Sequence, residues 1–231
     1  MEGMFRFRQF AVRQDQCAMK VGTDGVLLGA WANGGNRILD IGTGTGLLAL
    51  MMAQRFPLSV VKGIEIDARA AVQAQENVVA SPFASRISIE SVALQQFVPA
   101  HSFDSIVTNP PFYTKGFKVS GQARALARCA ESLPFQSIFQ FARNWLDDEG
   151  ELSAIVPFSV LDNFEAESCL FGFRLSRKTL LRTTPHKPIS RCLVAFRKSF
   201  KGHAYIDTHC LLDTEGKRSE WYSDLCSSFY L

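Results

Sequence analysis

Two short stretches of the sequence carry side chains whose types and spacing suit ligand binding and catalysis. The first is Asp40-Ile41-Gly42-Thr43-Gly44-Thr45-Gly46, and the second is Asn109-Pro110-Pro111-Phe112. Glycines let a backbone pass close beneath a ligand, and a helix that follows them offers unpaired N–H groups. Two successive prolines fix an extended elbow, which would hold an amide, a carbonyl and an aromatic ring in a rigid relation. The alternative for this elbow is a plain surface turn.

The acidic residues around the glycines indicate the class of ligand. The third glycine comes one residue earlier than in the dinucleotide pattern G-x-G-x-x-G. Asp40 would repel a pyrophosphate but would attract a cationic amine. Glu65 stands 21 residues after Gly44, at the end of the next predicted strand, where an acid accepts hydrogen bonds from ribose hydroxyls. A nucleoside that carries an amino acid, S-adenosylmethionine, satisfies both acids. The alternative is a tight strand–helix turn without a ligand.

Alternating strand and helix patterns would bring these stretches to one edge of a sheet. Strands are predicted at 37–41, 60–66, 87–92, 103–108 and 151–158, and helices at 47–56, 67–80, 135–146 and 162–170. Asp67 is expected to cap the second of these helices. Segments 175–183 and 191–198 are predicted as a closing antiparallel pair. This order predicts an α/β fold with a mostly parallel sheet and helices on both faces.

Composition favours an ordinary globular protein. Of the 231 residues, 47% are hydrophobic and 20% charged, and no apolar run approaches the roughly 18 residues of a membrane span. The N-terminus lacks the apolar core of a signal peptide. The six cysteines form no C-x-x-C pairs, which indicates reduced thiols in a cytoplasmic protein without a metal. The oligomeric state leaves no sequence signal, so a monomer is the simplest expectation.

Basic residues are concentrated in two segments. Residues 174–201 contain nine Lys or Arg and no acid, and residues 105–130 contain four more, again with no acid. Such a surface on a nearly neutral protein suggests a polyanionic partner such as nucleic acid. Strands with solvated basic faces are the alternative. The candidate RNA contacts are Lys115, Lys118, Arg182, Lys187 and Arg191.

Taken together, "DIGTGTG" (40–46), "GIEID" (63–67) and "NPPF" (109–112) resemble the class I S-adenosylmethionine-dependent methyltransferases. The last motif matches their [DNS]-P-P-[FYW] pattern, which implies methylation of a planar amino or amide nitrogen. The stretch from Phe5 to Trp31 is similar to the bacterial tRNA(Val) adenine-37 N6-methyltransferases, and the similarity extends to about Lys198. It implies tRNA as partner and a Rossmann-like domain over 37–231, with a seven-stranded sheet and an antiparallel last strand.

The resemblance also implies roles for individual residues. Residues 1–36 would form an N-terminal extension that packs over the cofactor site within a single domain. The cofactor contacts are expected from Thr23, Asp24, Asp40, Gly42, Gly44, Gly46, Glu65, Ile66 and Asn109. For Thr23 and Asp24 the alternative is a helix cap. Many relatives bind the cofactor's adenine amine with an Asp after the third strand, whereas this chain has Val92-Ala93-Leu94-Gln95.

The proline elbow would perform the catalysis. The amide of Asn109 and the carbonyl of Pro110 would each accept one hydrogen of an adenine amine and localise its lone pair. Pro111 would keep both acceptors aimed, and Phe112 would stack on the base.

Four other functions remain open at the level of the sequence. Methylation of a protein glutamine uses a similar elbow, but usually with Tyr in place of Phe112. Methylation of DNA adenine would require a target-recognition domain, which is not visible here. Asp40 and the glycine spacing argue against an NAD-dependent oxidoreductase. A non-catalytic RNA-binding module would not need the Asn-Pro-Pro-Phe stretch.

Overall fold

The computed structural model describes residues 3–17, 20–111 and 133–231. Within these ranges the strands are β1 Met4–Arg6, β2 Ala11–Arg13, β3 Arg37–Ile41, β4 Val60–Glu65, β5 Ile87–Ser91, β6 Phe103–Thr108, β7 Leu146–Pro157, β8 Arg174–Arg182, β9 Ile189–Arg197 and β10 Tyr205–Cys210. The α-helices are α1 Thr23–Trp31, α2 Leu47–Arg55, α3 Ala68–Val79, α4 Phe135–Trp145, α5 Leu161–Leu170 and α6 Glu220–Leu225. Short 3₁₀ helices occur at Ala84–Arg86, Leu94–Gln96 and Phe158–Val160.

Eight of the described strands form one sheet in the order β10-β8-β9-β7-β6-β3-β4-β5. Strands β3 to β7 are parallel to their neighbours within this group, and β9 is antiparallel to both β7 and β8. The mostly parallel α/β fold is therefore confirmed. Because the strands are parallel, the carboxyl ends of β3, β4, β5 and β6 meet at one edge, which we call the carboxyl edge.

The predicted count of seven strands is wrong, because β10 adds an eighth. It pairs in parallel with β8 from Tyr205 opposite Arg177 to Cys210 opposite Arg182. The antiparallel strand, β9, is therefore seventh in chain order but not last. An edge strand has a partner on one side only, and the mixed polar sequence of β10 lacks the apolar run that marked the central strands.

The two helix starts with predicted caps differ. The cap at Asp67 is confirmed, since its carboxylate accepts hydrogen bonds from the backbone N of Arg69 (2.9 Å) and Ala70 (3.4 Å). In α1 the capping residue is Gly22, with no side-chain cap. The alternative role of Thr23 or Asp24 as the cap is therefore wrong. Asp24 lies in the first turn of α1, and its carboxylate is not used as the helix cap.

Apolar side chains cover both faces of the sheet. On one face, α1 and α2 pack with residues from both chain ends, including Phe7, Phe10 and Phe229. On the other face, α4 and α5 pack around an aromatic cluster that includes Phe139 and Phe164. Within the described ranges, no helix combines the length and the apolar composition that crossing a membrane requires.

Polar contacts attach the N-terminal segment to α3 and to the C-terminus. The Asn77 side chain accepts a hydrogen bond from the Arg13 N–H (2.8 Å) and donates to the carbonyls of Arg13 and Thr45 (2.9 Å each). The Arg8 N–H donates to the Phe229 carbonyl (2.9 Å). These contacts hold the part of the chain that precedes the segment 20–25, which lies at the carboxyl edge.

Candidate functional site

A cavity of about 400 Å³ opens at the carboxyl edge of the sheet. Its walls come from the ends of four parallel strands and from the N-terminal segment. The lining includes Cys17, residues 20–25, 41–45 and 64–67, Leu47, Leu48, Ala70, residues 92–94, Asn109, Pro111 and Leu133. The cavity thus brings together both stretches that the sequence singled out. This edge is where open α/β sheets bind ligands.

The glycine-rich turn forms the floor of the cavity. Gly42 and Gly44 line it and have φ of 69° and 54°, a left-handed conformation that side chains with a Cβ rarely adopt. The N–H groups of Gly42 and Thr43 both donate to the Ile64 carbonyl (3.0 Å each). Gly46 does not line the cavity; it precedes α2 and packs against Ala74 of α3.

The Glu65 carboxylate stands at the cavity wall where β4 ends. One oxygen accepts a hydrogen bond from the Gly44 N–H (2.9 Å) and the other from the Asp67 N–H (3.0 Å). These contacts fix the carboxylate beside the turn. Ile66, which is half-exposed, lines the same wall, so an acceptor and an apolar surface are adjacent, as a ribose joined to a flat base requires.

Asp40 lies beneath the turn and not in the cavity. Its side chain is fully buried, and one carboxylate oxygen accepts from the Thr43 hydroxyl (2.5 Å) and the Ala49 N–H (3.1 Å). The other oxygen has no hydrogen-bond partner. Burial raises the pKa of Asp40 to about 7, and the nearby Glu65 charge adds to this rise. The residue expected to attract an amine therefore braces the turn from below.

Asn109 follows the last residue of β6 and lines the cavity with Pro111. Its Oδ1 atom is buried and has no hydrogen-bond partner in the structure. An unmet acceptor in the interior costs about 1–3 kcal/mol, so its retention suggests a donor that arrives with a ligand. Pro110 is buried. Phe112, the fourth residue of this motif, lies outside the described residues.

Thr23 and Asp24 both line the cavity. The Asp24 Oδ2 atom accepts a hydrogen bond from the Nε of Arg191 at 2.8 Å, and both side chains are about one-third exposed. Arg191 was expected to face RNA phosphates, whereas here its guanidinium meets a carboxylate of the cavity wall. Lys115 and Lys118, two other expected RNA contacts, lie outside the described residues.

Within the described residues, the basic segment 174–201 meets acids from other parts of the chain. Arg177 and Arg197 contact Glu151 (2.7 and 3.1 Å), Lys178 contacts Glu165 (2.8 Å), and Lys198 contacts Asp148 (3.9 Å). The strand directions separate the remainder. Arg182 ends β8 and Lys187 lies in the β8–β9 loop, both at the carboxyl edge, whereas Arg174 lies at the opposite edge. The Arg182 Nη1 donates to the carbonyls of Pro185 and Lys187 (3.5 Å each).

Several lining residues were not among the expected cofactor contacts. Val92, Ala93 and Leu94 form the wall at the end of β5, where no carboxylate is present. Cys17 and Lys20 reach the cavity from the N-terminal segment. Burial and the nearby carboxylates raise the pKa of Cys17 to about 12, so it stays a neutral thiol. In the part of the chain that the structure describes, no His, Cys, Asp or Glu group is arranged to hold a metal ion.

The cavity residues fit a nucleoside that carries an amino acid. Glu65 could accept hydrogen bonds from ribose hydroxyls, Ile66, Val92 and Leu94 could enclose a flat ring, and Asp24 could offer negative charge to an amine. The glycine turn allows a close backbone approach between them. The unpaired acceptor of Asn109 remains for a second molecule, whose donor group would meet the first at this point.

Comparisons with known proteins agree with this geometry. A family model described as "Methyltransferase small domain" matches residues 21–160. A tRNA1(Val) (adenine(37)-N6)-methyltransferase of Phocaeicola vulgatus is 42% identical over 98% of this chain and 97% of that protein. A protein of the same name from Flavobacterium johnsoniae is 40% identical over 99% of both.

Two solved structures share the fold at low sequence identity. A predicted O-methyltransferase from Agrobacterium tumefaciens superposes with a TM-score of 0.71 at 19% identity, over 89% of this chain and 96% of that one. A glycopeptide N-methyltransferase in complex with S-adenosyl-L-methionine gives a TM-score of 0.57 at 11% identity, over 76% and 95%. The Rossmann-like arrangement of the sheet is therefore that of methyltransferases.

Proposed function

The chain belongs to the methyltransferase small domain family and to the family of tRNA1(Val) (adenine(37)-N6)-methyltransferases, and we propose that it methylates N6 of adenine 37 in a valine tRNA. S-adenosyl-L-methionine is the methyl donor. The observation that carries the proposal is the buried, unpaired Oδ1 of Asn109 on the wall of the cavity that the glycine turn floors. This acceptor stands where an amine donor must meet the methyl donor.

The donor contributes an electrophilic methyl group, and the chain contributes the surfaces that hold it. Glu65 would accept hydrogen bonds from the ribose, while Ile66, Val92 and Leu94 would enclose the adenine of the donor. No carboxylate side chain follows β5, so the adenine amine would be read by backbone groups near Ala93. Asp24 and Thr23 would hold the amino-acid end from the opposite wall.

The elbow at Asn109 would activate the substrate amine. An exocyclic amine of adenine is a poor nucleophile because its lone pair is delocalised into the ring. The Asn109 Oδ1 and the Pro110 carbonyl would each accept one N–H hydrogen and localise that lone pair. Since two prolines set the backbone here, little reorganisation remains at the barrier. A general base is not required, because an amine methylated to a cation releases its proton readily. Phe112 is proposed to stack on the target base.

Contacts to RNA are proposed at the carboxyl edge. Lys187 is exposed there and Arg182 shapes its loop, while Lys115 and Lys118 remain further proposed contacts. A monomer is the simplest proposal for the protein's oligomeric state. A tRNA substrate supports a cytoplasmic location.

Nucleoside analysis of purified valine tRNA tests the proposal. Cells that lack the protein should contain adenosine at position 37, and a plasmid with the parental gene should restore N6-methyladenosine. Purified protein should also methylate that tRNA with S-adenosyl-L-methionine. A glutamine or DNA methyltransferase would leave the tRNA unchanged. Unmodified tRNA after incubation with the purified protein, or N6-methyladenosine at position 37 in cells that lack it, would refute the proposed substrate.

A further inference from the structure

The ring of Phe158 is exposed at the carboxyl edge, outside the cavity. Phe158 follows Pro157, the last residue of β7, and is 47% exposed. Among the described Phe, Tyr and Trp residues, the exposed ones are Phe158 and Tyr205, and Tyr205 begins β10 at the opposite edge. The neighbouring Val160 and Leu161 pack into the core. Its neighbours in sequence are therefore buried in the apolar core, whereas the Phe158 ring remains partly exposed to solvent.

The strand register places this ring beside the proposed catalytic elbow. Thr108 of β6 is opposite Ala154 of β7, so Asn109 lies one residue beyond this pair and Phe158 lies four. The difference is about three residues, or roughly 10 Å along the strands, with an offset of about 4.8 Å between neighbouring strands. On its other side, Pro157 is opposite Arg191, whose partner Asp24 lines the cavity.

The surroundings of the ring are polar and include charges of both signs. The β8–β9 loop with exposed Lys187 lies at the same edge, and Ser159 is exposed next to the ring. The exposed Asp162 lies in the first turn of α5, where a carboxylate stabilises the helix start. A single ring among polar groups is too small for an apolar protein contact. It suits an unpaired nucleobase, which stacks on any aromatic face while nearby cations approach the phosphates.

We propose that Phe158 is a stacking platform for a base that neighbours the target adenine in the RNA. This inference rests on the proposed function. Because the register places Phe158 roughly 10 Å beyond Asn109 along the strands, we assign the amine contact and the stacking contact to different nucleotides. A nucleotide next to the flipped adenine can span that distance. Phe158 thus extends the RNA contact from the methylated base to its neighbour.

A cycle of protein and RNA variants tests the stacking directly. Phe158→Ala is compared with the parental chain for binding of unmodified valine tRNA. The same comparison is made with two anticodon stem-loops, one abasic at position 36 and the other abasic at position 38. Phe158→Ala should weaken binding of intact RNA by about 5- to 150-fold, the range that one base on an aromatic ring supplies. With one of the abasic RNAs the same substitution should have little further effect, because the stacking partner is already absent.

Matched variants separate stacking from folding. Phe158→Tyr keeps the ring face and should bind RNA like the parental chain. Tyr205→Ala removes an even more exposed ring at the opposite edge and should also bind normally. The affinity for S-adenosyl-L-methionine should be the same in all variants. Parental RNA affinity in Phe158→Ala, or equal losses on intact and both abasic RNAs, would overturn the inference. A parental chain that cannot methylate the tRNA would instead refute the proposed function, and the inference would fail with it.

Discussion

The Oδ2 of Asp24 and the Nε of Arg191 are 2.8 Å apart, although 167 positions separate them in the chain. Asp24 lies in the first turn of α1 and lines the cavity, whereas Arg191 lies on β9 at the same edge. The pair therefore connects the segment 20–25 to the sheet. Each charge is partly desolvated, so the contact orients the Asp24 carboxylate more than it stabilises the fold.

Breaking this pair should weaken cofactor binding and leave RNA binding unaltered. Arg191→Ala should lower the affinity for S-adenosyl-L-methionine several-fold, because Asp24 loses the partner that orients it. Asp24→Asn should do the same, and the double variant should lose less than the sum of the two. Calorimetric titration measures these affinities. A flatter salt dependence of tRNA binding in Arg191→Ala would show instead that Arg191 contacts phosphates.

Lys187 should contribute to RNA binding through its charge. Lys187→Ala should weaken binding of tRNA and reduce the steepness of its salt dependence by about one counterion, since a phosphate contact releases one. Lys201→Ala is the matched control, because Lys201 is also exposed and lies beyond β9 near the opposite edge. The two variants are compared by filter binding over a range of salt concentrations. Identical salt slopes in Lys187→Ala and Lys201→Ala would contradict a contact between Lys187 and an RNA phosphate.

Asn109→Ala should lower the rate of methyl transfer without harming the fold. Loss of one preorganised polar contact costs on the order of 10² in rate. Because the Oδ1 of Asn109 is buried and unpaired in the free protein, its removal should leave the melting temperature unchanged or raise it. Single-turnover methylation at saturating cofactor and a melting curve measure both quantities. A parental rate would mean that the elbow is only a turn.

Glu65→Ala should reduce cofactor affinity more than a comparable surface change. The carboxylate is proposed to bind the ribose, and it also accepts hydrogen bonds from Gly44 and Asp67. Each hydrogen bond to a charged acceptor is worth about 1.5–3 kcal/mol. Glu90→Ala on the adjacent strand is the control, since Glu90 is exposed and pairs with Lys62 at the surface. Equal calorimetric affinities in the two variants would contradict the assignment of Glu65.

Asp40 should make the free protein less stable as the pH rises. Its pKa is about 7 in the folded chain, against 3.8 for an unperturbed Asp, so the folded state retains a proton that the unfolded state releases. The stability that this proton provides is complete below about pH 4, is lost as the pH rises through 7, and is absent at higher pH.

The variant Asp40→Asn isolates this effect. An amide cannot titrate, yet its oxygen can still accept from Thr43 and Ala49. The melting temperature of the variant relative to the parental chain should therefore rise between pH 5 and pH 8. Asp148→Asn, a change at a carboxylate whose side chain is 88% exposed, should show no such trend. A constant difference between Asp40→Asn and the parental chain would mean that Asp40 titrates normally.

Local chemistry determined much of this protein. The order of central strands and helices follows from apolar periodicity, and the cap at Asp67 follows from a side chain that bonds its own helix start. The glycine turn and the elbow at Pro110 are likewise restricted by backbone sterics alone. These features depend on neighbours in sequence, and so they could be predicted from the sequence.

Tertiary structure alone decided which groups meet across the chain. The acid-free run 174–201 is paired with Glu151, Glu165, Asp148 and Asp24 only because the strand order brings distant segments together. Asp40 is beneath the turn because β3 is buried between two neighbours. β10 was missed because an edge strand carries no continuous apolar run. Charge partners, burial and edge pairing depend on contacts between residues far apart in sequence, which local patterns do not encode.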